Sequence, residues 1–371
     1  MKRVCFLVLS LVISVFSLWG GKIVICLDGW GNYDPEAFEL MEKVLKDRIP
    51  GAQCFQIKMG DGSWKEKVFG GSLENQVELF NKTFVELDEK ILRGKKFDLV
   101  CSSQGGLIGW MWALKYNKDS RVENLFIMSS MLGGYFGVPD VVKGWLKGIC
   151  GCCGSCVEGL VDYFWAKKIV TSVFSALLAQ SCLVPAGYWR NPRYDGREKG
   201  RENFFQRTAL YQYLEGMSEE RKNNLYSIKK IVTFTDPDPS REKYIRPPLS
   251  GIFYPPGINN EDEFKKTSVY KILKPLVDQG RLIRYATNTG HECHKNVANI
   301  TKIIDVMQNG LLEEKKVVRG DGIQVEEIQP LLSRRKLKLG ERREGVFAWI
   351  ANLFCEGGEQ MQQRKCEYYE V

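Results

Sequence analysis

The sequence predicts an α/β fold with a mainly parallel, doubly wound sheet, and three features point to it. Between residues 22 and 129, short β-branched runs alternate with longer segments of helical period. The predicted strands are almost continuously apolar, which is typical of strands that helices cover on both faces. The 371 residues are 44% hydrophobic and 26% charged, so the chain has enough apolar material for a packed core. A parallel sheet between two layers of helices satisfies all three features.

The predicted elements alternate along the first part of the chain and again near its end. In order, the first part holds strand 22–27, helix 36–48, strand 52–58, helix 73–92, strand 97–101, helix 104–117 and strand 125–129. The later part holds strand 229–234, a Pro-rich loop at 236–256, strand 281–285 and a closing helix at 295–307. Between them, residues 131–217 are rich in Gly, Cys and aromatic residues, and we expect a helical, lid-like insertion there.

Both ends of the chain are predicted to lie outside the folded domain, which spans residues 22–308. Residues 1–20 have a charged start and an apolar centre, the pattern of a secretory signal peptide, with an uncleaved signal anchor as the alternative. Export predicts a lysosomal or extracellular location. Residues 309–371 form a charged tail of unknown role, whose apolar stretch 346–354 would allow a peripheral membrane contact.

Export also carries an expectation for the cysteines. Removing Cys5 with the signal peptide leaves eleven of the 12 cysteines, so at least one is expected to be free while most form disulfides. The cluster Cys150, Cys152, Cys153 and Cys156 is interpreted as local disulfides rather than a metal knuckle, because no histidine lies near it. The triplets that begin at Asn81 and Asn299 match the glycosylation pattern.

Charge and histidine counts exclude several classes of function. The net charge of +8 is small for this length and no basic stripe interleaved with aromatics occurs in residues 22–310, so nucleic acid is not an expected partner. The chain contains only two histidines, His291 and His294. A three-histidine zinc site is therefore impossible, and we expect no metal or cofactor. A histidine general base can come from one place only.

The third predicted strand runs into the turn Ser-Ser-Gln-Gly-Gly at residues 102–106 and then a helix, the context of a nucleophile elbow. This turn is so sharp that the positions two before and two after the nucleophile must be small. Counting from Ser103 gives Cys101 and Gly105, which fit, whereas counting from Ser102 gives larger residues. Ser103 is therefore the candidate nucleophile, and a simple helix N-cap is the alternative.

An acid and a base follow in the order that such hydrolases use, which is Ser, Asp, His. Asp236 and Asp238 follow the strand at 229–234, and His291 follows the strand at 281–285. We therefore predict a triad of Ser103, one of the two aspartates, and His291, with His294 as the alternative base.

The loop after the first strand, Asp28-Gly-Trp-Gly-Asn32, is predicted to complete the site. Its glycines let the backbone approach a substrate closely. The N–H groups of Trp30 and Gln104 would form an oxyanion hole, in which each donor contributes about 3 to 4 kcal/mol in the transition state. A dinucleotide-binding loop is the weaker interpretation, because the third glycine and the later acidic residue of that motif are missing.

With these motifs the chain resembles the palmitoyl-protein thioesterase family of lysosomal α/β-hydrolases over residues 22–308. The segments that carry the resemblance are Asp28-Gly-Trp-Gly, Ser103-Gln-Gly-Gly106, Gly134-Tyr-Phe-Gly-Val-Pro139, Ala186-Gly-Tyr-Trp-Arg-Asn-Pro192 and Ala286-Thr-Asn-Thr-Gly-His291. The resemblance implies an α/β-hydrolase fold. It also implies a set of roles: Ser103 as nucleophile, His291 as base, Asp236 in preference to Asp238 as acid, and Trp30 and Gln104 as oxyanion donors.

The resemblance further implies hydrolysis of fatty acyl thioesters through an acyl-serine intermediate. The expected substrates are fatty-acylated proteins or peptides, with acyl thioesters of small thiols as a further class. Two departures leave alternatives open: Asp28 stands where the family has histidine, and Cys101 stands where the elbow normally has glycine. The alternatives are a lipase or esterase that acts on oxygen esters, and a lipid-binding pseudoenzyme.

Overall fold

The structure is a computed structural model that describes residues 21–27, 29, 35–58, 71–130, 132–134, 213–236 and 261–309. The predicted signal peptide at 1–20, nearly all of the insertion with its cysteine cluster, and the tail beyond residue 309 lie outside these ranges. All that follows concerns the described residues.

Six parallel strands form one sheet, in the order β2-β1-β3-β4-β5-β6. The strands are β1 Ile23–Leu27, β2 Gln53–Ile57, β3 Phe97–Ser102, β4 Val122–Met128, β5 Lys230–Thr235 and β6 Leu282–Ala286. The chain places β2 on one side of β1 and then crosses back to build β3 to β6 on the other side. The strand order therefore reverses between β1 and β3, and the carboxyl ends of the strands at such a reversal are the usual place for a ligand in these sheets.

Helices lie on both faces of the sheet, which confirms the predicted doubly wound α/β class. They are α1 Pro35–Arg48, α2 Leu73–Leu87, α3 Ser103–Tyr116, α4 Glu219–Ser227, α5 Glu261–Phe264, α6 Ser268–Asp278 and α7 Val297–Asn309. Helices α1 and α7 contact each other on one face, while α2 and α4 contact α3 on the other. None of the helices in the described part of the chain has the length and apolar character that a membrane span needs.

The predicted helix at 73–92 is wrong at its C-terminal end. Helix α2 stops at Leu87 and the chain continues as a π-helical turn, Asp88–Leu92. The wider turn closes when Arg93 N–H donates to Asp88 O at 2.7 Å. Asp88 is also paired with Arg121, whose Nη1 lies 2.6 Å from its carboxylate. This tertiary contact from outside the helix accompanies the change of helix type.

The sequence did not predict helices α4 and α6. Helix α4 is short and its described buried residues are only Asn224 and Leu225, so it lacks a clear apolar stripe. Helix α6 contains Pro275, which normally disfavours a helix interior. Their N-caps were visible signals: the side chains of Ser218 and Thr267 each accept a backbone N–H three residues later.

The central helix α3 is the most deeply buried helix described, and it starts at the elbow. All its residues from Ser103 to Leu114 are buried. On the α2 side, Trp112 packs against Phe80 and Phe84, with ring centroids 5.2 Å and 4.6 Å away. A helix held on every side cannot shift easily, because close-packed interiors resist displacement. The first residue of α3 is therefore rigidly placed.

A buried ion pair lies at the amino ends of the strands, opposite the elbow. Lys22 Nζ is 3.0 Å from Asp98 Oδ2, and Asn124 donates to Asp98 Oδ1 from both its backbone N and its Nδ2. Burial raises the pKa of Asp98 to about 6, although the ammonium of Lys22 opposes this shift. These charges lie at the end of the sheet opposite to Ser103.

Candidate active site

Ser103 occupies a strained backbone position between β3 and α3. Its φ is 50°, an uncommon value for a residue other than glycine, which costs about 1 to 3 kcal/mol where the surroundings enforce it. Ser102 is the N-cap residue of α3, but its side chain makes no capping hydrogen bond. The helix thus begins at Ser103, one residue earlier than predicted. A positive φ at the candidate nucleophile, with no side-chain cap from Ser102, is the geometry expected of a nucleophile elbow.

The imidazole of His291 contacts the hydroxyl of Ser103, although the two residues belong to distant segments of the chain. Its Nε2 lies 2.8 Å from Ser103 Oγ, although the two residues are 188 positions apart. His291 belongs to a 3₁₀ helix, Gly290–Lys295, that follows β6. With the ring neutral and Nε2 unprotonated, the Ser103 O–H donates to it, so Nε2 can accept that proton during an attack. His294 lies in the same 3₁₀ helix, three positions further on.

Asp236 lies where a carboxylate can support the histidine turn. It directly follows β5, is fully buried, and its Oδ2 accepts the N–H of Gly290 at 2.8 Å. A carboxylate that accepts a backbone N–H is held more firmly than a neutral acceptor would be. Asp236 is thus bonded to the residue immediately before His291. Asp238, the alternative acid, lies outside the described residues.

Gly29, which follows β1, lies directly against Ser103, the candidate nucleophile. A Cβ added to Gly29 would lie 2.4 Å from Ser103 Cβ and 3.0 Å from Ser103 Oγ, so a side chain does not fit there. Gln104, the second residue of α3, is fully buried, and the N–H groups at a helix start are not used within the helix. Trp30 and Asp28 lie outside the described residues, so their predicted roles remain predictions.

Cys101 fits at the elbow because the helix residue that faces it, Gly109 of α3, has no side chain. It is fully buried, and a Cβ added to Gly109 would lie only 2.4 Å from Cys101 Sγ. The sulfur therefore fills the space that the missing side chain of Gly109 leaves. This contact explains how the elbow keeps its sharp turn without the usual glycine.

Gly109→Ala should consequently disturb the elbow. The new methyl group would clash with Cys101 Sγ, and overpacking of this kind lowers the free energy of unfolding by about 1 to 3 kcal/mol. We expect slower ester hydrolysis as well, because Ser103 lies two residues from Cys101. Steady-state kinetics and thermal unfolding would measure both effects. Combining Gly109→Ala with Cys101→Ala should restore both stability and activity. The Cβ of residue 101 would then lie at an ordinary 3.5 Å from the added methyl group. A double variant no better than Gly109→Ala would contradict this account.

Asn299 has a structural role near the histidine turn. It is 4% exposed, and its Nδ2 donates to Cys293 O at 3.1 Å and to Thr289 Oγ1 at 3.4 Å. A glycan on this amide would need it in solvent, so the match of this triplet to the glycosylation pattern does not mark a site in the folded chain. Asn81 Oδ1 accepts Trp112 Nε1–H at 3.0 Å.

The described cysteines and acidic groups form neither a disulfide nor a metal site. The four described cysteines, Cys26, Cys54, Cys101 and Cys293, form no disulfide, so the expected disulfides would have to involve cysteines outside the described residues. Within the described ranges, no group of three or more His, Cys, Asp and Glu side chains is arranged to hold a metal ion.

Sequence reasoning missed one residue of the site, Ser129. It follows β4 directly, is fully buried, and its Oγ donates to Gly290 O at 3.2 Å. The only available signal was its position, because polar residues at the carboxyl ends of parallel strands meet at the same edge of the sheet.

Comparison with solved structures finds distant likenesses. A phospholipase, PlaB, from Legionella pneumophila is 12% identical with a TM-score of 0.33, and the match covers 60% of this chain but only 40% of that protein. A lipase-esterase related protein from Clostridium acetobutylicum is 11% identical over 78% of this chain and 94% of its own length, with a TM-score of 0.37. A thioesterase domain from the curacin biosynthetic pathway is 14% identical over 76% and 91%, with a TM-score of 0.36.

Comparison of sequences supplies the family. No curated protein matches the chain significantly. The model of the palmitoyl protein thioesterase family, however, matches residues 23–291, from the first strand of the sheet to the histidine that contacts Ser103. The match covers well over half of the chain and includes Ser103, Asp236 and His291. This protein, an α/β-hydrolase, belongs to the palmitoyl protein thioesterase family.

Proposed function

We propose that the chain removes long-chain fatty acyl groups from S-acylated cysteines of proteins or peptides. The observation that carries this proposal is the 2.8 Å contact between His291 Nε2 and Ser103 Oγ at the strained elbow. Family membership supports the thioester as the bond that is cleaved. Acyl thioesters of small thiols are a further proposed substrate class. The proposed location of the protein is lysosomal or extracellular.

The first half of the proposed reaction transfers the acyl group to Ser103. The Oγ attacks the carbonyl carbon while His291 Nε2 takes the hydroxyl proton. The negative charge that develops on the carbonyl oxygen is stabilised by the N–H of Gln104 at the start of α3, together with that of Trp30. Collapse of the intermediate breaks the carbon–sulfur bond, and the proton on His291 passes to the departing thiol.

The second half releases the fatty acid. Water attacks the acyl-serine while His291 again accepts a proton, and the proton then returns to Ser103 Oγ. Asp236, bonded to the N–H of Gly290, is the group that would stabilise the imidazolium in both halves. A thiol with a pKa of about 8.5 departs more easily than an alcohol, so a thioester needs less assistance from the acid.

The experiment that tests this proposal compares a palmitoyl thioester with an oxygen ester of the same acyl chain and the same leaving-group skeleton. We expect kcat/KM to favour the thioester by about tenfold or more, which corresponds to about 1.4 kcal/mol in the transition state. A reaction without protein corrects for spontaneous thioester hydrolysis, and Ser103→Ala measured in parallel shows how much of the remaining rate depends on Ser103. Equal or greater activity on the oxygen ester would instead make the protein a lipase or esterase. No activity on either would favour the pseudoenzyme.

A further inference from the structure

Ser129, at the end of β4, has a backbone conformation that its surroundings must enforce. Its φ is 46° although it is not a glycine, and it is fully buried. The N–H of Ser129 donates to Phe234 O at 2.8 Å. Phe234 lies near the end of β5, two residues before Asp236, so this bond connects Ser129 to the strand that carries the candidate acid. Buried residues with such strained backbones concentrate at functional sites. The elbow residue Ser103 has the same feature one strand away.

The hydroxyl of Ser129 and the carboxylate of Asp236 bind opposite ends of one glycine. Ser129 Oγ–H donates to Gly290 O at 3.2 Å, and Gly290 N–H donates to Asp236 Oδ2 at 2.8 Å. Gly290 itself has a φ of 59° and lacks a side chain that could hold it by packing. Because glycine is the most flexible residue, these two bonds restrict the peptide groups on both sides of Gly290, just before His291.

A third group completes the arrangement. Cys293 Sγ lies 3.2 Å from Ser129 Oγ and is fully buried. Since the Ser129 hydroxyl proton is already donated to Gly290 O, the Cys293 thiol is the donor to Ser129 Oγ. The hydrogen-bond chain from Cys293 through Ser129 to Gly290 therefore spans the turn that carries His291 between them.

We infer that Ser129 is a positioning residue, which fixes the Gly290 carbonyl and thereby aims the imidazole of His291 at Ser103. It is bonded to Gly290, Cys293 and Phe234 and acts through the histidine. The effect on catalysis rests on the proposed function, whereas the effect on the His291 ring does not.

The kinetic test uses Ser129→Ala with Ser130→Ala as its matched control. Ser130 is the next residue, is equally buried, and its hydroxyl has no hydrogen-bond partner among the residues that the structure describes. We expect Ser129→Ala to lower kcat about tenfold with little change in KM, because a small misplacement of a catalytic group is costly. Ser130→Ala should stay near wild type. Ser129→Gly suits the positive φ and also lacks the hydroxyl, so it should lose the same activity even if the alanine variant folds poorly.

A double-variant cycle separates positioning from general stability. In a His291→Ala background, Ser129→Ala should cause no further loss of the residual rate, because the group that it aims is gone. The same tenfold loss in both backgrounds would overturn the inference. So would a Ser129→Ala enzyme with wild-type kcat.

A structural test is independent of any reaction. Because the chain has only two histidines, selective isotope labelling of histidine leaves two ring signals in an NMR spectrum. Ser129→Ala is expected to shift or broaden the His291 signal and to leave that of His294 nearly in place, while Ser130→Ala changes neither. An unchanged His291 signal would overturn the inference, whether or not the wild type hydrolyses thioesters. An inactive wild type with a displaced His291 signal in Ser129→Ala would leave the positioning role intact and sink the proposed function alone.

Discussion

Ser103→Ala is expected to lower the rate of acyl thioester hydrolysis about 10⁴-fold or more, to a small residual rate above the spontaneous reaction. The loss is this large because the hydroxyl is the atom that forms the covalent bond, and nothing else at the elbow can replace it. Hydrolysis of a palmitoyl thioester at saturating concentration measures the effect. The unfolding temperature should be nearly unchanged, because alanine is no larger than serine and the backbone strain at this position remains.

Ser102→Ala is the matched control for this experiment. Ser102 precedes the nucleophile, is 5% exposed, and makes no side-chain cap to α3. We expect its removal to change the rate only a few-fold. If Ser102→Ala abolished hydrolysis while Ser103→Ala retained it, the elbow would have been assigned to the wrong serine.

His291→Ala should have the second large effect, a loss of about 10⁴-fold in kcat. Without the imidazole 2.8 Å from Ser103 Oγ, the serine proton has no acceptor during the attack. Binding of the substrate should change less than kcat, since the ring makes its most important interaction in the transition state. The measurement is kcat and KM on the same palmitoyl thioester.

His294→Ala provides the comparison within the same turn. Both histidines belong to the 3₁₀ helix Gly290–Lys295 and both are partly exposed, so the two variants remove the same ring from similar surroundings. His294→Ala should keep most of the activity. The reverse pattern would make His294 the base and would contradict the geometry of the site.

Much of the fold and part of the site follow from the sequence for identifiable physical reasons. The inner strands β1, β3, β4 and β5 were predictable because both of their faces are covered, which makes them short, largely apolar runs. The edge strands β2 and β6 are less buried and keep shorter apolar signals. The elbow was predictable because its sharp turn tolerates only small neighbours, and Cys101 and Gly105 satisfy that requirement. The position of His291 was predictable because the chain offers no other imidazole outside one tetrapeptide.

The features that the sequence did not predict depend on contacts between remote segments. Ser129 and Gly290 are 161 positions apart, and neither residue type suggests the hydrogen bond between them. Gly109 resembles any small residue in an apolar helix until Cys101 Sγ is seen against it. The π turn after α2 is accompanied by the ion pair with Arg121, which no local pattern encodes.

The most direct test of a serine hydrolase centred on Ser103 is covalent labelling with a fluorophosphonate, followed by mass spectrometry of the labelled peptide. The probe reacts with an activated serine, so it requires the nucleophile and its base but no knowledge of the natural substrate. We expect one adduct on Ser103 that is absent in Ser103→Ala and greatly slowed in His291→Ala. A folded wild-type protein that takes up no label, or an adduct that persists in Ser103→Ala, would contradict the assignment.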